Sequence, residues 1–305
     1  MLIINNHRTE SMNFSQPNFD SGSINDQIRR ISIITVCRNA EASIAETIKS
    51  VLQQHAVLSG RVELEYIVQD GMSTDRTLEI VEFLRTPAVS VVAELDRGLY
   101  DGLSRAMQRC TGDVVAYINA GDYYHPFALD VVLDIMSESR VPWLTGMTVV
   151  YNHRSQVIHS SVPYVYRQRL IRCGMYGTRL PFIQQESTFW RRSLHCVIDF
   201  PRLESLKYAG DAFLWFSFAA VQPLAIVQAQ LGGFKFHQGQ LSENRRAYSV
   251  EMVAFCQRPS FWDVITTQFD RFRWKGLFKL KIKNRGGPFF RFSCASGRWV
   301  RQTKR

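Results

Sequence analysis

The sequence predicts an α/β fold, a mostly parallel sheet flanked by helices, with a basic extension at its C-terminal end. Three observations carry this prediction. β-branched runs alternate with segments of helical period from residue 31 to about residue 140. The acidic and other unusual polar residues of that region fall directly after the runs. The formal net charge of +10 resides from Phe261 onward, where twelve Lys and Arg stand against two Asp, so the preceding chain is near neutral. Strands alternating with helices specify parallel βαβ units with right-handed crossovers.

The first strand is ISIITV (31–36), a continuous apolar run of the kind buried on both faces. Ile44, Ile48, Val51 and Leu52 then recur at i, i+4, i+7 and i+8, one face of an amphipathic helix. LEYIV (64–68) is the second strand. STDRTLEIVEFL is the helix behind it, with Ser73 or Thr74 as N-cap and Leu78, Val81 and Leu84 on one face. VSVVAEL (89–95) is the third strand, followed by a helix near Tyr100–Gln108. VVAYI (114–118) is the fourth, and the helix after Pro126 carries Leu129, Val132 and Leu133. Beyond about residue 150 the periods become irregular. Ala212 to Phe234 holds no charged residue over 23 positions, long enough to span a bilayer. Gln222-Pro223 divides it, so a buried helix followed by a buried strand is the expectation.

An apolar content of 46% with 21% charged residues is ordinary for a soluble globular chain, and 305 residues bury a sizeable core. The six cysteines have no CxxC and no regular spacing, which predicts reduced, buried thiols in a cytosolic protein. Residues 1–30, polar and lacking the layout of a signal peptide, read as a flexible N-terminal arm. The stretch RFRWKGLFKLKIKNRGGPFFRF interleaves Phe, Trp and Leu with bases. Phosphate binding alone would not require the apolar residues, so this tail is expected on an anionic membrane surface and no nucleic acid is expected. The protein is therefore expected in the cytoplasm, peripheral on the inner face of the membrane.

In an open α/β sheet, ligands bind beyond the carboxyl ends of the strands. Thr35-Cys37-Arg38-Asn39 follows the first strand and Asp70-Gly71 the second; Glu94 and Asp96 follow the third and Asn119 to Asp122 the fourth. Any one Asp there is ordinarily a cap or turn residue, but four strand ends in a row make a binding crevice. No GxGxxG follows the first strand, and no P-loop, HExxH or GxSxG is present. What remains is a cluster of carboxylates suited to a hard cation, Mg²⁺ or Mn²⁺, bridging phosphate oxygens.

TVCRNAEASIAETIKSVLQQ, YIVQDGMSTDRT, ELDRGLYDGLSRAM, CTGDVVAYINAGDYY and QQESTFWRR…LKYAGDAFLWFSFA, in that order, resemble the family 2 glycosyltransferases. The resemblance covers about residues 31–240. It implies the Rossmann-like GT-A fold and an inverting transfer from a nucleotide-sugar, UDP being the expected nucleotide. The acceptor would be a hydroxyl of a glycan or lipid-linked molecule in polysaccharide biosynthesis. Carried over by position, Thr35, Arg38, Asn39 and Glu41 border the nucleotide, Asp70 binds its base, and Asp96 lines the donor pocket with Arg105 near it. Asp122 matches the metal-binding aspartate, although NAGD keeps one acid where many relatives have two. His237 falls where such enzymes often supply a histidine near the metal, and Asp211 matches the catalytic base. Gln185 and Glu186 face the acceptor, with Glu186 a rival base. The expected division is a donor half (31–125), an acceptor half (126–245) and the basic extension (246–305). The alternative is a catalytically weak or inactive scaffold that binds nucleotide-sugars. A nucleotidyltransferase would carry a glycine-rich basic turn where TVCRNAE has no glycine, and a polyanion-binding protein would not need the acidic crevice.

Overall fold

The computed structural model describes residues 27–236, 240, 243–274 and 286–302. β1 (Arg30–Cys37) and β2 (Glu63–Asp70) pair in parallel over their whole length, from Arg30 opposite Glu63 to Cys37 opposite Asp70. Between them lie α1 (Ile44–Leu52) and the short α2 (His55–Leu58). Next come α3 (Thr77–Phe83), β3 (Val89–Ala93), α4 (Leu99–Arg109), β4 (Val114–Tyr117), β5 (Tyr123–Tyr124) and α5 (Ala128–Glu138). The second half holds β6 (Trp143–Thr145), β7 (Thr148–Tyr151), β8 (Val157–Ser161), α6 (Gln168–Arg172), β9 (Thr188–Arg191), α7 (Phe200–Glu204) and α8 (Gly210–Val221). It closes with β10 (Ala225–Val227), β11 (Gly232–Lys235), α9 (Arg245–Phe255), α10 (Phe261–Trp274), β12 (Phe289–Ser293) and β13 (Arg298–Arg301).

Among the described residues the main sheet has the order β13-β12-β10-β6-β9-β4-β1-β2-β3. It is parallel except where β9 runs against β4 and β6, and β13 against β12. Strand β1 shows why its sequence is apolar throughout. Ile31 and Ile33 enter one core with Ile44, Ile48 and Leu129, whereas Ile34 and Val36 enter the other with Leu103, Trp190 and Phe218. Successive side chains point to opposite faces, and helices cover both. A second sheet, β5-β11-β7-β8, pairs β5, directly after Asp122, with Gly232 and Gly233 at the start of β11.

Three of the sequence expectations are amended by packing, and one is met. α3 starts at Thr77 with Arg76 at its N-cap position and no side-chain cap; Asp75 accepts from the Thr77 N–H at 3.0 Å, and Ser73 instead serves Asp70. β3 stops at Ala93, so Glu94 belongs to the loop. The uncharged stretch is α8 plus β10 and most of β11, and no helix among the described residues is long and apolar enough to cross a membrane. All six cysteines are free, but Cys196 and Cys294 are exposed, because spacing carries no information on burial.

The chain after residue 245 is woven into the rest. β12 pairs with β10, Ile226 opposite Phe289, and Phe289 and Phe290 are only 4% and 5% exposed. α10 is fastened to α6 by Arg167, which donates to the buried Asp270 at 2.6 and 2.9 Å, and by Arg169, which donates to Asp263 at 3.1 Å. The core of the basic stretch, 275–285, and residues 1–26 of the arm lie outside the described residues.

Candidate active site

The carboxyl edge of the sheet gathers the loops that the sequence singled out. After β1 the chain turns at Asn39, whose φ is 52°. Asn39 N–H donates to Ser73 Oγ at 2.8 Å, and its Oδ1 accepts from the Thr74 N–H at 2.8 Å. Glu41 Oε2 accepts from the Arg76 N–H at 3.1 Å. Asp70, fully buried, accepts from the Ser73 N–H at 2.7 Å and the Ser73 hydroxyl at 2.5 Å. Asn39, Glu41 and Asp70 thus brace the first two strand-end loops against each other. Thr35 is fully buried beneath them, its hydroxyl 2.9 Å from that of Tyr66, and Arg38 is exposed.

Asp96 lies against the second loop so closely that a Cβ on Gly71 would meet its Oδ2 at 2.8 Å, a position only glycine fills without a shift. Its Oδ1 accepts from the Gly98 N–H at 3.0 Å. Burial is the largest influence on this carboxyl and raises its pKa, while the Gly98 N–H and the charges of Arg38 and Arg105 oppose it. Arg105 commits its guanidinium to Asp101 at 2.9 Å and to the Leu95 carbonyl at 3.0 Å, so it fixes the start of α4.

Asp122 and Glu186 form a second acidic centre. Asp122 Oδ1 accepts from the Lys235 N–H at 2.8 Å, which ties the loop after β4 to β11. The two residues are 4% and 3% exposed, and Glu186 Oε1 is buried without a hydrogen-bond partner. Burial pushes both carboxyls well above the ordinary range, and the Asp122 charge pushes Glu186 further. Two adjoining buried acids, one with an unsatisfied oxygen, are an arrangement that a cation would stabilise. The donor set therefore fits a divalent cation, although no group of three such side chains occurs among the described residues. His237, the expected third, lies outside the described residues. Gln185 next door turns inward: its Nε2 donates to the Tyr117 carbonyl and its Oε1 accepts from Asn119 at 3.2 Å.

Asp211 opens α8, and three elements converge on it. Glu251 of α9 accepts from the N–H groups of Lys207, Tyr208 and Ala209, each at 2.8 Å, and holds the turn that delivers the acid. Gly210 sits on the Tyr100 ring, where a Cβ would meet Cδ1 at 2.3 Å. The Tyr248 hydroxyl donates to Asp211 Oδ2 at 3.3 Å; the Tyr100 hydroxyl is 3.2 Å from the Tyr208 carbonyl and 3.5 Å from Asp211 Oδ1. Burial pushes the Asp211 carboxyl up to about 6, and the tyrosine hydroxyls and helix N–H groups moderate the rise. Sequence reasoning missed Tyr100, Tyr248 and Glu251. The available signal was weak: Tyr248, Glu251, Met252 and Phe255 share one face of α9 at i, i+3, i+4 and i+7.

Residues 32–214 match the family model described as "Glycosyl transferase family 2". The chain belongs to that family. It is a glycosyltransferase by descent and fold. A curated relative, the Escherichia coli UDP-Glc:alpha-D-GlcNAc-diphosphoundecaprenol beta-1,3-glucosyltransferase WfgD, is 23% identical over 238 residues, covering 77% of this chain and 85% of the relative. Among solved structures, S. aureus TarS 1-349 in complex with UDP-GlcNAc superposes with a TM-score of 0.55 at 16% identity, over 80% of this chain and 73% of that one. Glucosyl-3-phosphoglycerate synthase from Mycobacterium tuberculosis, in complex with Mn²⁺, UDP and glucosyl-3-phosphoglycerate, gives 0.52 at 20% identity, over 76% and 82%. These likenesses bear out the GT-A fold, a mostly parallel central sheet flanked by helices.

Proposed function

We propose that this family 2 glycosyltransferase moves a sugar from a UDP-sugar to a hydroxyl of a glycan or lipid-linked acceptor in polysaccharide biosynthesis, with inversion. The observation that carries the reading is Asp211, a carboxyl held by Tyr248 and by the Glu251-braced turn and raised to about 6 by burial. A base with a pKa near the working pH combines a large ionised fraction with useful basicity. The acceptor hydroxyl gives its proton to Asp211 as its oxygen bonds to the anomeric carbon, and the bond from that carbon to the diphosphate breaks on the opposite side. No covalent intermediate forms, so the configuration inverts.

Asp70 and Asp96 are assigned to the nucleotide and the donor sugar, with Arg38 at the entrance; Thr35, Asn39, Glu41 and Arg105 hold the loops that shape this pocket. Asp122 and Glu186 would hold a divalent cation, with His237 a further candidate. When bound, that ion neutralises charge on the departing diphosphate. The named relatives support the reading: one uses UDP-Glc and a diphosphate-linked acceptor, and the mycobacterial synthase binds Mn²⁺ with UDP. The basic C-terminal end is assigned to an anionic membrane surface, as suits an enzyme with a lipid-linked acceptor. A second reading, a weak or inactive scaffold, is favoured by the single acid of NAGD.

Slow hydrolysis of UDP-sugars without acceptor separates the two, because a scaffold turns nothing over. In parallel, UDP should raise the melting temperature more with Mn²⁺ than without, and Glu186→Gln should remove the Mn²⁺-dependent part. A Glu186→Gln protein that keeps the full Mn²⁺ effect would take Glu186 out of the cation site.

A further inference from the structure

A cleft of about 610 Å³ opens between β8, the loop at 179–181 and the end of α10. Arg179, Arg271 and Arg273 line it with His159, and Tyr164 and Trp274 supply flat apolar walls; no Asp or Glu lines it. The acids of α10 are engaged elsewhere, Asp270 buried against Arg167 and Asp263 against Arg169 and Ser260. Those same pairs fix α10 as a rigid wall. Arg273 lies over the Tyr164 ring, 5.4 Å from its centroid, so one base is already placed above an aromatic surface. Arg179 and Arg271 are exposed, with no carboxylate partner among the described residues. Planar guanidinium groups take phosphate oxygens two at a time, and the volume falls within the range of small-molecule sites, roughly 300–1,000 Å³.

The cleft shares no residue with the strand-end crevice, but it is connected to the base. Pro181 in its wall precedes Phe182, whose ring packs edge-on against Tyr248 with centroids 5.3 Å apart. The Tyr248 hydroxyl in turn donates to Asp211 at 3.3 Å. Two rings, Phe182 and Tyr248, thus link the wall of the basic cleft to the carboxyl that would deprotonate an acceptor.

We propose that this cleft binds the phosphate or diphosphate group of the acceptor, with the adjoining apolar chain against Tyr164 and Trp274, while the acceptor sugar reaches Asp211. This rests on the transferase reading above. The ligand class is a sugar phosphate ester bearing a lipid, and the site would make the enzyme select such acceptors over uncharged glycosides.

The test compares the full chain with Arg179→Ala, Arg271→Ala and the double variant, with Arg→Lys replacements at both positions to keep charge and control for folding. Acceptors are one sugar presented either on a short-chain lipid diphosphate or as an uncharged alkyl glycoside. The double alanine variant should reduce the kcat/KM preference for the diphosphate acceptor by roughly tenfold or more, mainly through KM, and the lysine variant should recover part of it. An unchanged preference overturns the proposal. Calorimetric titration with geranyl diphosphate needs no turnover: binding by the parent chain that the double variant loses supports the cleft even if no UDP-sugar is consumed, and absence of binding refutes it. If the variants lose only adhesion to phosphatidylglycerol vesicles, with acceptor preference intact, the cleft reads membrane headgroups and the acceptor assignment falls.

Discussion

At the scale of single residues, the chemistry turns on where burial places a carboxyl's pKa. Asp211, the proposed base, is raised to about 6 and would act only when ionised, so kcat/KM should fall as pH drops below about 6. The same shift has a sign for stability. Because the folded state holds this proton more tightly than the unfolded chain, the group's contribution is full below the ordinary aspartate range. It is lost as pH rises through about 6. Asp211→Asn should therefore lower kcat by roughly 10²–10⁴ with little change in donor affinity. It should also abolish the acidic limb of the rate profile and leave a melting temperature less dependent on pH between 4 and 7. A variant that keeps both the rate and the limb would move the base elsewhere, with Glu186 the rival. Asp70, Asp96, Asp122 and Asp211 were legible as candidates because each sits in a short local motif. Tyr100 and Tyr248 were not, because what they do is set by a partner more than 30 residues away.

At the scale of elements, α9 supports the turn that carries Asp211. Its start is capped by Asn244, whose Oδ1 accepts from the Ala247 N–H at 3.1 Å, and it carries Tyr248 and Glu251 one turn apart toward α8. Glu251 satisfies three successive N–H groups just ahead of α8 that would otherwise lack partners. Glu251→Gln keeps the shape but leaves one acceptor oxygen and no charge. We expect it to cost about 1–3 kcal/mol in urea unfolding. It should lower kcat more than it changes donor KM, since Asp211 loses its fixed approach. Equal losses in all parameters would mark Glu251 as a purely structural residue. The longer helices and strands up to α5 were readable from period; α2, of four residues, and β5, of two, were not. The short strands and helices from β6 onward were not, since elements of three to five residues are too brief to show a period.

At the scale of the whole molecule, the C-terminal end closes the sheet and carries the bases proposed to meet a membrane, and its charge alone would not separate the two. Phe289 and Phe290 complete both cores through β12, whereas Phe261 and Trp262 of α10 are 73% and 71% exposed. Deleting residues 261–305 is therefore expected to destabilise the fold as well as remove the bases. Phe290→Ala alone should cost about 3–5 kcal/mol. The proposed membrane contribution is tested instead by Phe261→Ser with Trp262→Ser, which should weaken sedimentation with anionic vesicles while the melting temperature stays within about 2 °C, as exposed sites allow. Unaltered sedimentation would free this helix face of any membrane role.

The sequence by itself determined the alternating strands and helices, the acidic strand ends and the family, because these are written in local period and in short motifs of fixed order. Only the tertiary structure decided that Asn39 and Glu41 are spent on bracing loops, that buried Asp122 acts electrostatically on buried Glu186, and that the C-terminal residues close the sheet. Each of these depends on which distant segments lie side by side once two cores are buried. Burial also sets the charge state of Asp211, and no spacing of residues along a chain records that.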